Sequence, residues 1–159
     1  MNLTYQSIGV IHTPFHSKEG MPVQSKGAEG IQGSVALHEE FIPALKDLDG
    51  FSHIILVYHF HESRGYQLQT KPFLEEEIHG VFATRAPKRP NSIGISIVKL
   101  LNIDNNHLEI EGVDMLDGTP LLDIKPYVSD FDVFGNVKNG WLEKRKDDLN
   151  DVRSDDRFT

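Results

Sequence analysis

The apolar segments of this chain constrain its fold more than any other feature: they are short, rich in Ile and Val, and bounded by Gly, Pro, Asn and Asp. β-Branched side chains pack well on a pleated surface and lose rotamer freedom in a helix, so this pattern predicts strands joined by turns. Strands are expected over residues 5–12, 33–38, 52–60, 80–84, 93–104, 107–115 and 121–127. Asp104, Asn105 and Asn106 tolerate the left-handed conformation and predict a tight hairpin between the fifth and sixth. Helix signals are weaker. Phe41, Leu45 and Leu48 share one face, with Pro43 in the first turn and Gly50 as a stop, and a second helix is expected over 139–149. The resulting expectation is a mostly β architecture, a barrel with one or two peripheral helices.

A chain of 159 residues with 38% hydrophobic and 25% charged side chains fits one globular domain, expected over 1–150, followed by an acidic tail at 151–159. The absence of Cys excludes disulfides, thiolate nucleophiles and Cys-based metal sites. Residues 54–58 form the longest apolar run, and the N-terminus lacks a basic segment followed by an apolar one, so a cytoplasmic protein without a membrane span is expected. The net charge of −8 argues against a nonspecific polyanion binder. The bases are uneven, however: Arg85, Lys88, Arg89 and Lys99 occupy a stretch free of acids.

Alternation separates two faces in 52–61. Ile54, Leu56, Tyr58 and Phe60 form a core face, whereas His53, Ile55, Val57, His59 and His61 turn polar toward the end, which should meet a pocket or a subunit interface. Further on, Pro87 and Pro90 forbid helix and fix a loop presenting Arg85, Arg89 and Asn91. An Arg fork suits a carboxylate or phosphate, and Asn91 with the Gly94 backbone suits a base edge or carboxylate. A solvated β connection stiffened by prolines is the bland alternative. Asp117-Gly118-Thr119-Pro120 is a turn signature flanked by Asp114, Asp123, Lys125 and Tyr127, and a solvated exterior face explains that pattern equally well. His59 with His61, and His12 near His16, are too few for a metal site without a third ligand, so no metal is expected. Phosphate-binding Gly-rich loops and the nucleophile elbow of serine hydrolases are absent.

Ile8-Gly9-Val10-Ile11-His12-Thr13-Pro14-Phe15, Gly50-Phe51-Ser52-His53 leading to Phe60-His61, residues 80–96, and residues 117–127 resemble, in order, the successive motifs of the TrmO (TsaA-like, YaeB-like) family. The resemblance implies a single-sheeted β-barrel methyltransferase that uses S-adenosylmethionine and acts as a homodimer with the cofactor near the subunit interface. It also implies a tRNA substrate methylated at N6 of N6-threonylcarbamoyladenosine, next to the anticodon. By motif, the cofactor contacts would be Pro22, Val23 and Gln24, then His61 and Glu62, Arg85 and Ser96, and Asp114, Met115, Leu116 and Asp117. Val23 stands where the family commonly has Arg. Lys88, Arg89, Asn91 and Lys125 are the expected substrate contacts, and Asp117 or Tyr127 the expected acceptor of the N6 proton. Bacterial relatives carry an additional C-terminal domain beyond the barrel. A same-fold methyltransferase acting on a small molecule and a non-catalytic S-adenosylmethionine sensor remain as alternatives.

Overall fold

The structure is a computed structural model and describes residues 1–73, 75–148 and 153. Its strands are β1 (Gly9–His12), β2 (Gln32–Leu37), β3 (His53–His59), β4 (Gln69–Thr70), β5 (His79–Gly80), β6 (Ile93–Asp104), β7 (His107–Glu111) and β8 (Thr119–Pro126). Six of them close into an antiparallel barrel in the order β1-β2-β7-β6-β3-β8, with β1 pairing β8 to complete the ring. Closure removes every free sheet edge from that set. β4 and β5 form a separate two-stranded ribbon.

Side-chain alternation decides the interior. Ile54, Leu56 and Tyr58 of β3 point inward with Ile11, Val35, Val98, Leu108, Ile110 and Leu121, all buried. Burial of such side chains contributes roughly 1.5–3 kcal/mol each relative to exposure. A two-residue turn with Asn105 at φ 53° joins β6 to β7 where the sequence predicts a hairpin.

Several local expectations are corrected. Residues 80–84 are not a strand: after Gly80 the chain makes a 3-10 turn over Val81–Ala83, because the Thr84 amide and hydroxyl both return to the Val81 carbonyl. The strand expected over 107–115 ends at Glu111, since Gly112 at φ 93° breaks the ladder. The strand expected from residue 5 begins at Gly9. The predicted helix around Phe41 is a 3-10 segment, Glu39–Leu45, containing Pro43, and Asp47 at φ 68° separates it from the short turn Leu48–Gly50. The second predicted helix is a 3-10 segment, Gly140–Asp148, interrupted at Arg145; its last residue, Leu149, lies outside the described residues. A short α1 (Ser129–Asp132) follows the barrel. Of the expected tail at 151–159, only Arg153 is described, bridged to Pro22. Among the described residues no helix is long and apolar enough to cross a membrane.

Strand register gathers the site at one end. β1 leaves the barrel at His12 and β2 re-enters at Gln32; β3 leaves at His59 and β6 enters at Ile93; β7 leaves at Glu111 and β8 enters at Thr119. Ile11 pairs with Thr119, and Tyr58 pairs with both Gly94 and Leu121. The three long connections therefore leave the same rim.

Candidate functional site

Those connections enclose a cavity of about 700 Å³. Met21, Pro22, Val23 and Gln24 line one side; Phe60, His61 and Glu62 follow from the end of β3; the loop through Phe82, Arg85 and Arg89 forms another wall; Asp114, Met115, Leu116 and Thr119 complete it. Trp141 and Leu142, from beyond the barrel, also reach the lining.

The Arg-bearing loop is held by its own polar groups. Arg89 Nη1 donates to the carbonyls of Thr84 and Ala86, both at 3.1 Å, and the Ala86 amide donates to Thr84 Oγ1 at 3.2 Å. Ser63 Oγ donates to the Pro87 carbonyl at 3.1 Å, and Trp141 Nε1 to the Ala83 carbonyl at 2.8 Å. With two prolines limiting the backbone, the loop is preorganised. Arg89 is thus a brace as well as a lining residue, whereas Arg85 directs its positive field at Asp114 and Tyr58.

A hydrogen-bonded chain crosses the cavity floor. Ser96 Oγ donates to Asp114 Oδ1 at 2.5 Å, and Tyr58 Oη lies 3.0 Å from Ser96 Oγ. A hydroxyl has one proton, so with Ser96 donating to Asp114 the phenol must donate to Ser96. Burial pushes the Asp114 carboxyl up to about 7, against the Ser96 hydrogen bond and the Arg85 charge. Burial, then the Asp114 charge, raises the Tyr58 phenol as well.

A carboxyl whose folded pKa exceeds its unfolded value binds more protons in the native state across that interval, so stability falls as pH rises from near 4 through about 7. Asp114→Asn is expected to remove this component. Melting temperatures of both proteins between pH 5 and 8 check it: the two curves should diverge as the pH falls, with wild type gaining more, and parallel curves would contradict the raised carboxyl.

The structure brings together Pro22, Val23, Gln24, His61, Glu62, Arg85, Asp114, Met115, Leu116 and Arg89, all of them in the lining. Ser96 lies beneath it, bonded to Asp114. Asp117 instead takes the Thr13 amide and His12 Nδ1 at 3.1 Å each, with His16 Nδ1 3.6 Å away. Although partial desolvation opposes it, these partners hold the Asp117 carboxyl below its ordinary value. Tyr127 follows β8 at the opposite end of the barrel, its ring edge-on to His53 at 6.2 Å. Lys125 pairs with Asp123 at 2.7 Å beside Ile55, also away from the cavity. Lys88 and Asn91 share the Arg85 loop without entering the lining. Sequence reasoning missed Lys18, Phe82, Trp141 and Leu142; the single Trp of the chain was the one signal pointing at the last pair.

Residues 10–133 match the family model described as the tRNA-methyltransferase O N-terminal domain. The chain belongs to the TrmO family. A TrmO crystal structure from Pseudomonas aeruginosa superposes with a TM-score of 0.75 at 37% identity, over 89% of this chain and 63% of that one. A probable S-adenosyl-L-methionine-binding protein of Pyrococcus abyssi is 53% identical over 98% of this chain and 85% of its own length. A mouse tRNA (adenine(37)-N6)-methyltransferase is 36% identical over 82% of this chain and 32% of its own length. This chain therefore spans less than two thirds of the solved TrmO chain and about one third of the mouse enzyme. The matched segment of the TrmO family model contains every barrel strand from β2 to β8 and most of β1.

Proposed function

We propose that this chain is an S-adenosylmethionine-dependent methyltransferase acting on tRNA, at N6 of N6-threonylcarbamoyladenosine beside the anticodon. The observation that carries the reading is one cavity, in a TrmO-family barrel, holding opposite charges beside an apolar slot: Arg85 and Asp114 with Phe60, Met115 and Leu116. Its volume lies within the range typical of small-molecule sites. S-adenosylmethionine carries a carboxylate, an ammonium and a flat purine, and this set of side chains fits all three. Arg85 would hold the carboxylate, and Asp114, in its ionised form, the ammonium. Glu62 and Gln24 would take the ribose hydroxyls, and the Pro22 and Val23 backbone with Met115 and Leu116 would flank the purine. When bound, the cofactor supplies an electrophilic methyl group; the protein supplies position, which is the larger part of such a displacement. Asp117 and Tyr127 lie outside the cavity lining. Lys88, Arg89 and Asn91 form the rim against which an anionic substrate would rest.

The test is calorimetric titration with S-adenosylmethionine, followed by methyl transfer to tRNA bearing threonylcarbamoyladenosine. Binding with transfer supports the reading. Binding without transfer favours another acceptor or a sensor, and absence of binding overturns it.

The same reading includes a homodimer in the cytoplasm and takes residues 1–150 as the barrel domain. Its support is an outward apolar stripe in which Ile97 pairs with Ile55 and Ile95 with Val57, Ile93 standing beside His59. Ile93, Ile95 and Ile97 are 38%, 52% and 40% exposed, and the first two also line the cavity. A second copy seated there would cover the stripe and close the cavity wall. Ile97→Glu, off the cavity, is expected to yield a folded monomer by sedimentation, and a variant that sediments like wild type would remove this face from the interface.

A further inference from the structure

Among the described residues five Phe, Tyr and Trp side chains line the cavity, and four are engaged by the protein. Tyr58 is in the core and bonded to Ser96, and Phe60 lies edge-on against it at 5.5 Å. Phe73 packs on Val81, and Trp141 stacks on His79 at 4.8 Å with the rings 13° from parallel. Phe82 differs from all of these, being 78% exposed at the cavity rim.

The exposure of Phe82 comes from a held turn. Val81 on one side is 1% exposed, and the Thr84 amide and hydroxyl both close onto its carbonyl, at 3.1 and 2.9 Å. Trp141 Nε1 fixes the Ala83 carbonyl, and Arg89 fixes that of Thr84. The backbone on both sides of Phe82 is pinned, so the turn holds its Cα at the rim of the cavity. Arg85, also exposed, follows three positions later on the same rim. An exposed aromatic face at the mouth of a cavity has the chemistry of a platform for an unpaired nucleobase, because every base has a π-face, while Arg85 stays with the cofactor carboxylate inside.

We infer that Phe82 is the stacking residue for the methyl-acceptor base, which lies extruded from its strand against the Phe82 ring with its exocyclic nitrogen directed into the cavity. This rests on the tRNA reading above and adds the residue that orients the acceptor. An adenine inside a stack cannot present N6 to an enclosed site, so a surface that replaces the lost stacking is required.

The test compares wild type with Phe82→Ala and Phe82→Trp, using the modified anticodon stem-loop as probe and measuring RNA affinity, cofactor affinity and sedimentation separately. Phe82→Ala is expected to bind the RNA about 5- to 150-fold more weakly, the worth of one base stack. Its S-adenosylmethionine affinity and oligomeric state should match wild type, and Phe82→Trp should restore RNA binding. RNA affinity unchanged in Phe82→Ala overturns the inference while leaving the enzyme reading intact. A changed oligomeric state also overturns it, because the ring would then belong to the contact between copies. If wild type binds no RNA, the tRNA reading and this inference fall together.

Discussion

Replacing Gly94 by alanine is expected to lower stability by about 1–3 kcal/mol and to abolish measurable S-adenosylmethionine binding. A Cβ at this position would meet Tyr58 Cζ at 2.6 Å and Phe60 Cζ at 2.8 Å, closer than side chains pack. Both rings could yield only toward the cavity they line. Tyr58 is 4% exposed inside the barrel and its hydroxyl is committed to Ser96, while Phe60 is braced edge-on against it. The strain falls on the floor of the cavity, so displacement of Tyr58 also breaks the chain through Ser96 to Asp114. For a chain of this length the melting temperature should fall by roughly 2–4 °C per kcal/mol. Gly9→Ala is the control: its Cβ would meet the Ala36 carbonyl oxygen at 2.6 Å, where β1 pairs with Leu37 and Leu121 and away from the cavity. Thermal melts and calorimetry should show Gly9→Ala destabilised with its cofactor affinity retained, and Gly94→Ala losing both. A Gly94→Ala protein with the melting point and affinity of wild type would mean that the Tyr58 ring is not fixed as described.

The inward face of β3 is legible because strand alternation has a period of two, and Ile54, Leu56 and Tyr58 obey it without exception. The turn at Val81–Ala83 is not, because an apolar run before a proline-rich loop resembles a strand until Thr84, Arg89 and Trp141 fold back on it. The same limit governs the site. Arg85 and Asp114 carry charge in motifs and can be found one residue at a time, but their meeting with Lys18, Phe82 and Trp141 depends on closure of the barrel. Asp117 and Tyr127 are adjacent in motif and apart in space. They belong to one continuous motif, yet β8 runs between them at about 3.3 Å per residue, which carries Tyr127 down the barrel to His53 while Asp117 stays near His12.

Arg85→Ala is expected to weaken S-adenosylmethionine binding by about 1.5–3 kcal/mol, roughly 10- to 150-fold, with the fold intact. The loop itself is braced by Arg89, Thr84 and Trp141, and Arg85 lies exposed on the cavity, so its removal takes away a charge without taking away a support. Arg89→Ala should do the opposite: it frees the carbonyls of Thr84 and Ala86 and lowers the melting temperature along with affinity. Arg85 has a second signature, because its charge opposes the burial that raises Asp114. Without Arg85 the Asp114 carboxyl rises further above its ordinary range, so the interval in which rising pH costs stability extends upward. Cofactor capture, which needs the ionised carboxylate, should then reach its plateau at a higher pH than in wild type. Calorimetry at several pH values separates the two roles. Unchanged affinity would remove Arg85 from the cofactor site, and weakened affinity with an unshifted pH profile would mean that it holds the ligand without acting on Asp114. A shift in both would tie the zwitterion's two charges to one pair of residues, set on two different connections that meet only when the barrel closes.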